Sequence, residues 1–433
     1  MTRNLVCVSC GTTYALEDKR LRCECGGLLD VQPDLHEVPP AAVLTRQFSS
    51  RASSMSPEDL SGVWRYRELV LDLPLDQLVT FPEGRTNLYQ LDPAPFGLSA
   101  LWAKHEGENP SGSFKDRGMT VAVSWARHQE ARALICASTG NTSASLAAYG
   151  ARAHLPVFVL IPDGKIALGK LAQALAYGAH TLQVEGSFDD AMRIVEQLAG
   201  DHQLTVVNSI NPFRLEGQKT IILDSWFQLG GSLPDWIVVP GGNLGNTSAF
   251  GKALIEMKAL GLIDRVPRLA VIQAEGAAPF ARAAANDFAA LEPVSDPETV
   301  ATAIRIGNPV NYAKAVRAVR FTQGAVTSVS DAEILLAKHD LDRQAVGCEP
   351  ASAATLAGLR RLVREGTIHA GESALLVITG TLLKDPDTTM ALATGQAAPV
   401  GDQAEQLARC VNIPHRVTAD PDTIARAIEE ELA

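Results

Sequence analysis

The feature that most restricts the fold of this chain is an alternation of short apolar runs and helical patterns. Most runs are followed by a turn rich in Gly, Ser, Thr or Asn and then by a helix. This alternation predicts an α/β fold with parallel sheets covered by helices on both faces. Crossovers in such sheets are right-handed, which places the strand-to-helix loops at one edge, where α/β proteins bind ligands.

The alternation begins at about residue 85. We predict strands at 98–104, 133–138, 156–161, 181–184, 204–208, 236–239, 269–273 and 374–378. We predict helices at 115–129, 143–153, 168–177 and 188–199, and one that ends at about 260. Residues 31–80 are interrupted by prolines and poor in regular pattern, with one short helix expected at 63–71. An acidic helix at 424–432 is expected to serve packing or oligomer contact.

Length, charge and hydropathy exclude several classes of protein. A chain of 433 residues suggests two or three domains at about 150 residues each. The formal net charge of −11 disfavours nucleic acid and anionic membranes as partners. We see neither an apolar run of about 18 residues nor the pattern of a signal peptide. The sequence therefore predicts a cytoplasmic protein without a nucleic-acid or membrane partner.

Four of the seven cysteines lie close together near the N-terminus, and they predict a small ribbon. Cys7 and Cys10 form a C-x-x-C pair, and Cys23 and Cys25 form a C-x-C pair. Four thiolates at this spacing could surround one zinc ion tetrahedrally, in a structural role. The alternative is a ribbon that keeps its cysteines without a metal. An odd total fits a reducing cytosol better than a disulfide framework.

Lys115 opens a predicted helix directly after a Gly/Ser turn. An ammonium at a helix N-terminus meets the positive end of the helix dipole. This placement favours the neutral amine, which is the form that condenses with an aldehyde. The alternative interpretation is a surface lysine at the start of an ordinary helix.

Two further loops are candidate anion sites. The turn 138–143 joins a strand to a helix, so a carboxylate could bind at the helix N-terminus; alternatively, Asn141 or Thr142 is an ordinary N-cap. The glycine-rich turn 241–247 has the context of a phosphate cradle. It lacks the P-loop lysine and does not fit G-x-G-x-x-G, so it favours a cofactor monophosphate over a nucleotide.

Two single residues are weaker candidates. Arg214, with Ser209, could hold a phosphate or carboxylate by charge-assisted bonds, or could be a surface arginine paired with Glu216. Thr379 ends a predicted strand, where its hydroxyl could face a ring nitrogen, or it could belong to a plain turn.

Taken together, these motifs resemble the fold-type II pyridoxal-phosphate enzymes, and among them the threonine synthase family. The resemblance covers residues 1–395, including the cysteine ribbon, and its motifs in order are GSFKDRGMT, ASTGNTSAS, NSINPFRLEGQKT, PGGNLGNTSAF, AIRIGNPV, EPASAA and TGTLLKDPD. It implies two parallel-sheet, three-layer domains. The implied limits are a zinc-ribbon-like unit at 1–35, a large cofactor-binding domain at 36–110 and 215–395, a small domain at 111–214, and a C-terminal tail helix region at 396–433.

The resemblance also implies roles for individual residues. Lys115 would hold pyridoxal phosphate as a Schiff base, with Phe114 beside the ring, Asn141 on the ring hydroxyl oxygen and Thr379 at the pyridine nitrogen. The cofactor phosphate would lie in the loop Gly242, Asn243, Leu244, Gly245 and Asn246. The substrate carboxylate would meet Ser138, Thr139 and Thr142. The substrate phosphate would meet Ser209, Arg214 and Asn243, with Lys170 or Lys219 as further candidates.

The implied reaction converts O-phospho-L-homoserine and water to L-threonine and phosphate, in a homodimer. Two departures from the family pattern bear on specificity. Thr381-Leu382 stands where a histidine or asparagine followed by glycine is common, and Asn87 stands where proline is usual. One alternative is a relative such as cysteate synthase, which uses O-phosphoserine and sulfite. Another is an inactive binding module whose ribbon contacts nucleic acid or protein.

Overall fold

The described residues of the computed structural model, 2–163, 168–186, 188–201, 204–397 and 404–432, form three sheets. The strands are β1 Arg3–Cys7, β2 Thr13–Ala15, β3 Leu29–Pro33, β4 Leu88–Leu91, β5 Ala100–His105, β6 Ala133–Ala137, β7 Val157–Pro162, β8 His180–Val184, β9 Leu204–Val206, β10 Trp236–Pro240, β11 Arg268–Ala274, β12 Ala325–Val329 and β13 Ser373–Ile378.

The sheets differ in their strand direction. The ribbon sheet has the order β2-β1-β3 and is antiparallel. The four-stranded sheet, β8-β7-β6-β9, is parallel. The six-stranded sheet, β12-β11-β10-β13-β5-β4, is parallel except at its edge, where β4 runs antiparallel to β5. The parallel sheets confirm the predicted α/β fold.

Helices cover these sheets. They are α1 Ala41–Ala52, α2 Pro57–Leu60, α3 Arg67–Val70, α4 Lys115–His128, α5 Asn141–Ala153, α6 Leu168–Ala176, α7 Phe188–Asp201, α8 Pro212–Gln218, α9 Thr220–Gln228, α10 Gly245–Ala259, α11 Pro279–Ala285, α12 Tyr312–Phe321, α13 Asp331–Asp342, α14 Pro350–Arg364, α15 Pro386–Ala393, α16 Ala404–Ala408 and α17 Pro421–Leu432. Within the described part of the chain, no helix combines the length and apolar character needed to cross a bilayer.

The central strands are apolar along their whole length because both of their faces are covered. All five residues of β10, WIVVP, are buried, as are the last five of β13. Continuous apolar runs of this kind are typical of parallel strands packed between helix layers. The strand-to-helix loops that bear the candidate motifs therefore rest on rigid elements.

Helices α4 and α8 approach each other unusually closely. A Cβ added to Gly217 would lie 1.7 Å from the carbonyl oxygen of Arg117, and one added to Gly118 would lie 3.0 Å from that of Arg214. Any side chain at Gly217 would collide with α4, and one at Gly118 would be unusually tight against α8. The contact brings α8, which bears Arg214, against the helix that begins at Lys115.

The structure also shows elements that the sequence did not predict. Residues 31–80, expected to lack regular pattern, contain the twelve-residue helix α1, whose Leu44 and Phe48 are fully buried. The strand predicted at 204–208 ends at Val206. The ribbon strands all lie within 1–35, and those of the four-stranded sheet within 111–214. The exact domain limits stay a prediction.

Buried ion pairs attach the ribbon to the body of the protein. We call this set the ribbon-docking cluster; it consists of Asp30, Glu216, Lys219, Lys252, Glu256 and Lys314. The Lys219 ammonium lies 2.6 Å from Glu216 and 2.7 Å from Glu256. Lys252 donates to the Val31 carbonyl oxygen and to Glu216.

The ribbon strand β3 contributes the Asp30 carboxylate and backbone carbonyl oxygens to this contact. Lys314 donates to the Leu29 carbonyl oxygen at 2.6 Å and lies 3.6 Å from the Asp30 carboxylate. Burial alone would lower the pKa of Lys252, but Asp30, Glu216 and Glu256 outweigh burial and raise that pKa above its usual value. Lys252 therefore keeps its charge where the ribbon meets the body of the protein.

Candidate active site

Lys115 is the first residue of α4 and is half-buried. Its ammonium nitrogen lies 3.9 Å from the ring centroid of Phe114. Burial and the charge of Arg214 lower the pKa of Lys115 to about 7, against the opposing charge of Glu349. An amine that loses its proton near neutral pH can attack an aldehyde, so the environment matches the predicted role.

A group of polar side chains converges close to this amine. Asn141 donates from its amide to Glu349 at 3.1 Å, and Thr379 donates to the same carboxylate at 3.2 Å. The hydroxyls of Ser352 and Thr379 lie 2.8 Å apart. Burial raises the pKa of Glu349, while Asn141 and Lys115 oppose the rise. The two predicted ring contacts, Asn141 and Thr379, thus share one partner.

Backbone hydrogen bonds join the segment before Lys115 to the loop that follows β13. The N–H of Phe114 donates to the Thr379 carbonyl oxygen at 2.9 Å, and the N–H of Thr381 donates to that of Gly112 at 3.1 Å. These bonds hold the segments that bear Lys115 and Thr379 side by side, although the two residues are far apart in sequence.

The turn between β6 and α5 leaves its helix end without a side-chain cap. Gly140 is the N-cap, and Asn141 turns its amide to Glu349 instead. The Ser138 hydroxyl accepts from the Gly140 N–H at 3.2 Å, and Thr139 and Thr142 are half-buried. The ordinary N-cap considered from the sequence is therefore not formed. The helix N-terminus is suited to a carboxylate.

The glycine-rich loop runs from the end of β10 into the fifteen-residue helix α10. Leu244 adopts a left-handed conformation, φ 61°, although it is buried and not glycine, and such strain concentrates at functional sites. Asn246 accepts from Gln218 at 2.7 Å, and the Asn243 carbonyl oxygen accepts from the Asn311 N–H at 3.2 Å. The loop is thus fixed at the start of a helix that can bind a phosphate.

Arg214 is buried, with 2% of its surface exposed. Its Nη1 donates to the Val207 carbonyl oxygen at 3.3 Å, and no carboxylate among the described residues forms an ion pair with it. Burial lowers the pKa of Arg214 to about 10, opposed by Cys136. Glu216 pairs with Lys219 and Lys252 instead, so the surface-pair alternative is wrong.

The other phosphate candidates have different positions. Ser209 is half-buried, and its carbonyl oxygen accepts from the Asn311 amide at 3.2 Å. Lys219 belongs to the ribbon-docking cluster, so its charge is already neutralised there. The side chain of Lys170 lies outside the described residues.

Several buried polar atoms of these elements have no partner within the described part of the chain. They are Ser113 Oγ, Arg214 Nε, Thr247 Oγ1 and Asn311 Oδ1. A buried polar atom left without a hydrogen bond costs about 1–3 kcal/mol, so a ligand is the natural partner. The Lys115 amine, the polar contacts for a ring and the phosphate loop fit pyridoxal phosphate.

The four ribbon cysteines converge as predicted. Their sulfurs all lie within 4.8 Å of one another, and Cys7 to Cys25 and Cys10 to Cys23 are each 3.5 Å apart. A tetrahedral zinc with bonds of about 2.3 Å needs sulfurs about 3.8 Å apart, so the group fits zinc with little adjustment. The C-x-C spacing of the second pair does not prevent this geometry.

Comparison with known proteins identifies the family. The family model "Pyridoxal-phosphate dependent enzyme" matches residues 79–380. The threonine synthase of Methanosarcina acetivorans is 47% identical over 394 residues, covering 89% of this chain and 93% of that protein. The chain belongs to the threonine synthase family of pyridoxal-phosphate-dependent enzymes. A second member, from Methanocaldococcus jannaschii, is 45% identical over 391 residues, with the same shares of both chains.

Solved structures confirm the fold-type II architecture. Threonine synthase from Escherichia coli matches with a TM-score of 0.69 at 17% identity, covering 99% of this chain and 100% of that one. Maize serine racemase matches with a TM-score of 0.61 at 20% identity, covering 81% and 93%. The sequence relatives favour threonine synthase over cysteate synthase and over an inactive module.

Some residues of the site had no role in the sequence prediction. Glu349 and Ser352 lie in the EPASAA motif, which carries the family resemblance without indicating a role for either residue. None of the sequence motifs includes Asn311, which contacts the Ser209 carbonyl oxygen and the Asn243 backbone. An acidic residue just before an alanine-rich apolar helix was the available signal for Glu349.

Proposed function

We propose that this protein converts O-phospho-L-homoserine and water to L-threonine and phosphate, with pyridoxal phosphate bound at Lys115. The observation that carries the proposal is the buried cation Arg214, which has no carboxylate partner among the described residues and lies on a helix packed against α4. When bound, the cofactor stores the electron pair released at the substrate Cα. The protein supplies position, charge and proton transfer.

Specific residues would hold the cofactor. Asn141 and Thr379 face the same space beside Lys115 and suit the ring hydroxyl oxygen and the ring nitrogen. A neutral hydroxyl at the nitrogen keeps that nitrogen unprotonated. Phe114 packs beside Lys115, and the loop Gly242, Asn243, Leu244, Gly245 and Asn246 would bind the phosphate at the start of α10.

The substrate would lie between two anion-binding elements. Ser138, Thr139 and Thr142, with the uncapped start of α5, would bind its carboxylate. Arg214, with Ser209 and Asn243, would bind its phosphate by charge-assisted hydrogen bonds. Held at both ends, the substrate would present its reacting carbons to Lys115.

Lys115 would carry the protons of the reaction. With a pKa of about 7, its amine can take a proton from Cα and return one to a neighbouring carbon. Lys115 would next take a proton from Cβ, and the electron pair of that C–H bond would form a Cβ–Cγ double bond as the Cγ–O bond breaks and phosphate leaves with the electron pair of the broken bond. The proton held by Lys115 would then be returned to Cγ. Water then adds at Cβ, giving the hydroxyl of threonine, while Cγ ends as a methyl group.

We further propose a structural zinc on Cys7, Cys10, Cys23 and Cys25, a homodimer and a cytoplasmic location. The sulfur geometry supports the zinc. The seven cysteines form no disulfide, which supports a reducing compartment. Metal analysis of the purified protein should give one zinc per chain, and a Cys25→Ser variant should lower that content. Protein that contains no metal, and whose melting temperature does not change when zinc is added, would contradict the zinc proposal.

The decisive experiment measures phosphate release from O-phospho-L-homoserine by purified protein supplied with pyridoxal phosphate. Threonine and phosphate should appear in equal amounts, and Lys115→Ala should abolish both, whereas the surface control Lys258→Ala should not. Visible cofactor absorbance without turnover would reject the substrate, and O-phosphoserine with sulfite would then be tested. Protein that stays colourless would reject the enzyme itself.

A further inference from the structure

Lys384 is a half-buried cation beside the site that the reaction as described does not use. It lies in a short turn, Leu382–Lys384, after the Thr379 loop. Its ammonium donates to the side-chain oxygen of Gln173 on α6, which belongs to the unit with the four-stranded sheet. The contact thus connects the two sheet-bearing units directly across the site.

Gln173 also contacts the segment that leads to Lys115. Its amide donates to the Ser111 carbonyl oxygen at 3.3 Å. Lys384 covers the other side of the same segment, because a Cβ added to Gly112 would lie only 3.0 Å from Lys384 Cε. Gly112 has φ +85°, so this position needs glycine for its backbone and for the close approach. The two side chains therefore hold residues 111–112 between them.

The partner of Lys384 differs from the partners of the fully buried lysines Lys104 and Lys338. Lys104 lies 2.8 Å from Asp224, and Lys338 lies 2.7 Å from Asp342. Among the described residues, Lys384 has an amide as its partner and forms no ion pair. Burial lowers the pKa of Lys384, while Asp116 and Glu349 oppose the shift. An amide fixes the ammonium without neutralising it.

We infer that Lys384 and Gln173 are positioning residues that hold the two units closed over the site and fix the segment before Lys115. They act through Ser111 and Gly112 rather than by contact with the substrate. A hydrogen bond to a charged group is worth roughly a ten- to hundredfold change in an equilibrium. Breaking this hydrogen bond should shift the equilibrium between the closed and open pocket towards the open form by a similar factor.

The test uses the enzyme loaded with pyridoxal phosphate and the variants Lys384→Met, Gln173→Met and the double variant. Lys258→Met, an exposed lysine that donates to the Asp264 carbonyl oxygen, is the matched control. The first readout is the rate at which hydroxylamine removes the cofactor, followed by absorbance. Each single variant should speed this reaction about tenfold, and the double variant should be no faster than the faster single one. The control should match the original protein.

The second readout, kcat and KM for phosphate release, rests on the proposed function. The same non-additive pattern should appear there, with kcat and kcat/KM lowered together. A loss of kcat/KM in Lys384→Met alone would overturn the inference in favour of direct substrate contact. Unchanged hydroxylamine rates in both single variants would also overturn it. No turnover by the original protein, with the expected hydroxylamine pattern, would reject the substrate and leave the inference standing.

Discussion

The ribbon-docking cluster and the active site both bury positive charge, but they treat it differently. In the cluster, Lys219 lies 2.6 Å from Glu216, and Lys314 lies 3.6 Å from Asp30. In the site, Arg214 forms no ion pair with any described residue. In the cluster the buried cations are neutralised by carboxylates of the chain, whereas Arg214 is left available for the proposed substrate phosphate. Burial alone does not distinguish these two groups of cations.

The largest effect should come from breaking the cluster. Glu216→Gln removes a fully buried carboxylate that faces Lys219 and Lys252. Breaking a buried ion pair leaves an uncompensated charge and costs about 3–5 kcal/mol. Urea unfolding of the purified variant should show this loss in the free energy of unfolding. The exposed control Glu298→Gln should lose less than about 1 kcal/mol, and equal losses in the two variants would contradict the contrast.

Removing the buried cation Arg214 from the site should lower activity without lowering stability. Arg214→Met should lower kcat/KM for O-phospho-L-homoserine about a hundredfold or more, since truncating one partner of a buried charge pair costs about 2–5 kcal/mol. The free energy of unfolding should not fall, because the variant removes a buried charge that forms no ion pair with any described residue. Arg265→Met, at an exposed ion pair, is the control for both measurements. A large loss of stability in Arg214→Met would place this residue with the structural cations.

Acid should weaken the docking of the ribbon. Burial alone would raise the pKa of Asp30. The charges of Lys252, Lys314 and Arg317 outweigh burial and hold that pKa well below its usual value. A lowered carboxylate pKa contributes stability above the unfolded value of about 4, and that stability is lost as the pH falls through the folded value. Asp30→Asn should therefore cost about 2 kcal/mol at pH 7 and progressively less below pH 4. Urea midpoints at pH 7 and pH 3 measure the difference, and a cost independent of pH would exclude this mechanism.

The smallest effect concerns the loading of the cofactor. The neutral fraction of an amine with a pKa of about 7 rises roughly tenfold between pH 6 and pH 8 and then levels off. The rate of cofactor attachment to Lys115, followed by absorbance, should show this profile. A free lysine, whose pKa is about 10.4, would speed up about a hundredfold over the same range without levelling. That steeper profile would mean that the site does not perturb Lys115.

Local patterns explain what could be predicted from the sequence. Lys115, the turn 138–143 and the loop 241–247 each combine a glycine or small-residue turn with a helix start, and both features lie within a few residues. The strand at 374–378 was also predicted closely, because its apolar run is continuous. In these cases the local signal and the tertiary environment agree.

Long-range pairing explains what could not be predicted. Glu349 meets Asn141 and Thr379 only because β13 and α14 bring distant segments together. Lys219 has a charge suited to a phosphate, but its ammonium instead lies 2.7 Å from Glu256. Helix α1 was missed because Leu44 and Phe48 give it only a narrow apolar face within a proline-rich segment. Sequence spacing does not indicate any of these three features.

The docking of the ribbon has a consequence for how the protein is made. The Lys314 side chain and the Leu29 backbone that it binds are separated by 285 positions. At about 5–20 residues per second, the ribosome needs roughly 15 to 60 s to cover that interval. The ribbon therefore leaves the ribosome long before its docking surface exists, and its cysteines are exposed to metal throughout that time. Under the zinc proposal, metal capture would precede docking during biosynthesis, and α10 and α12 would receive a ribbon that is already shaped.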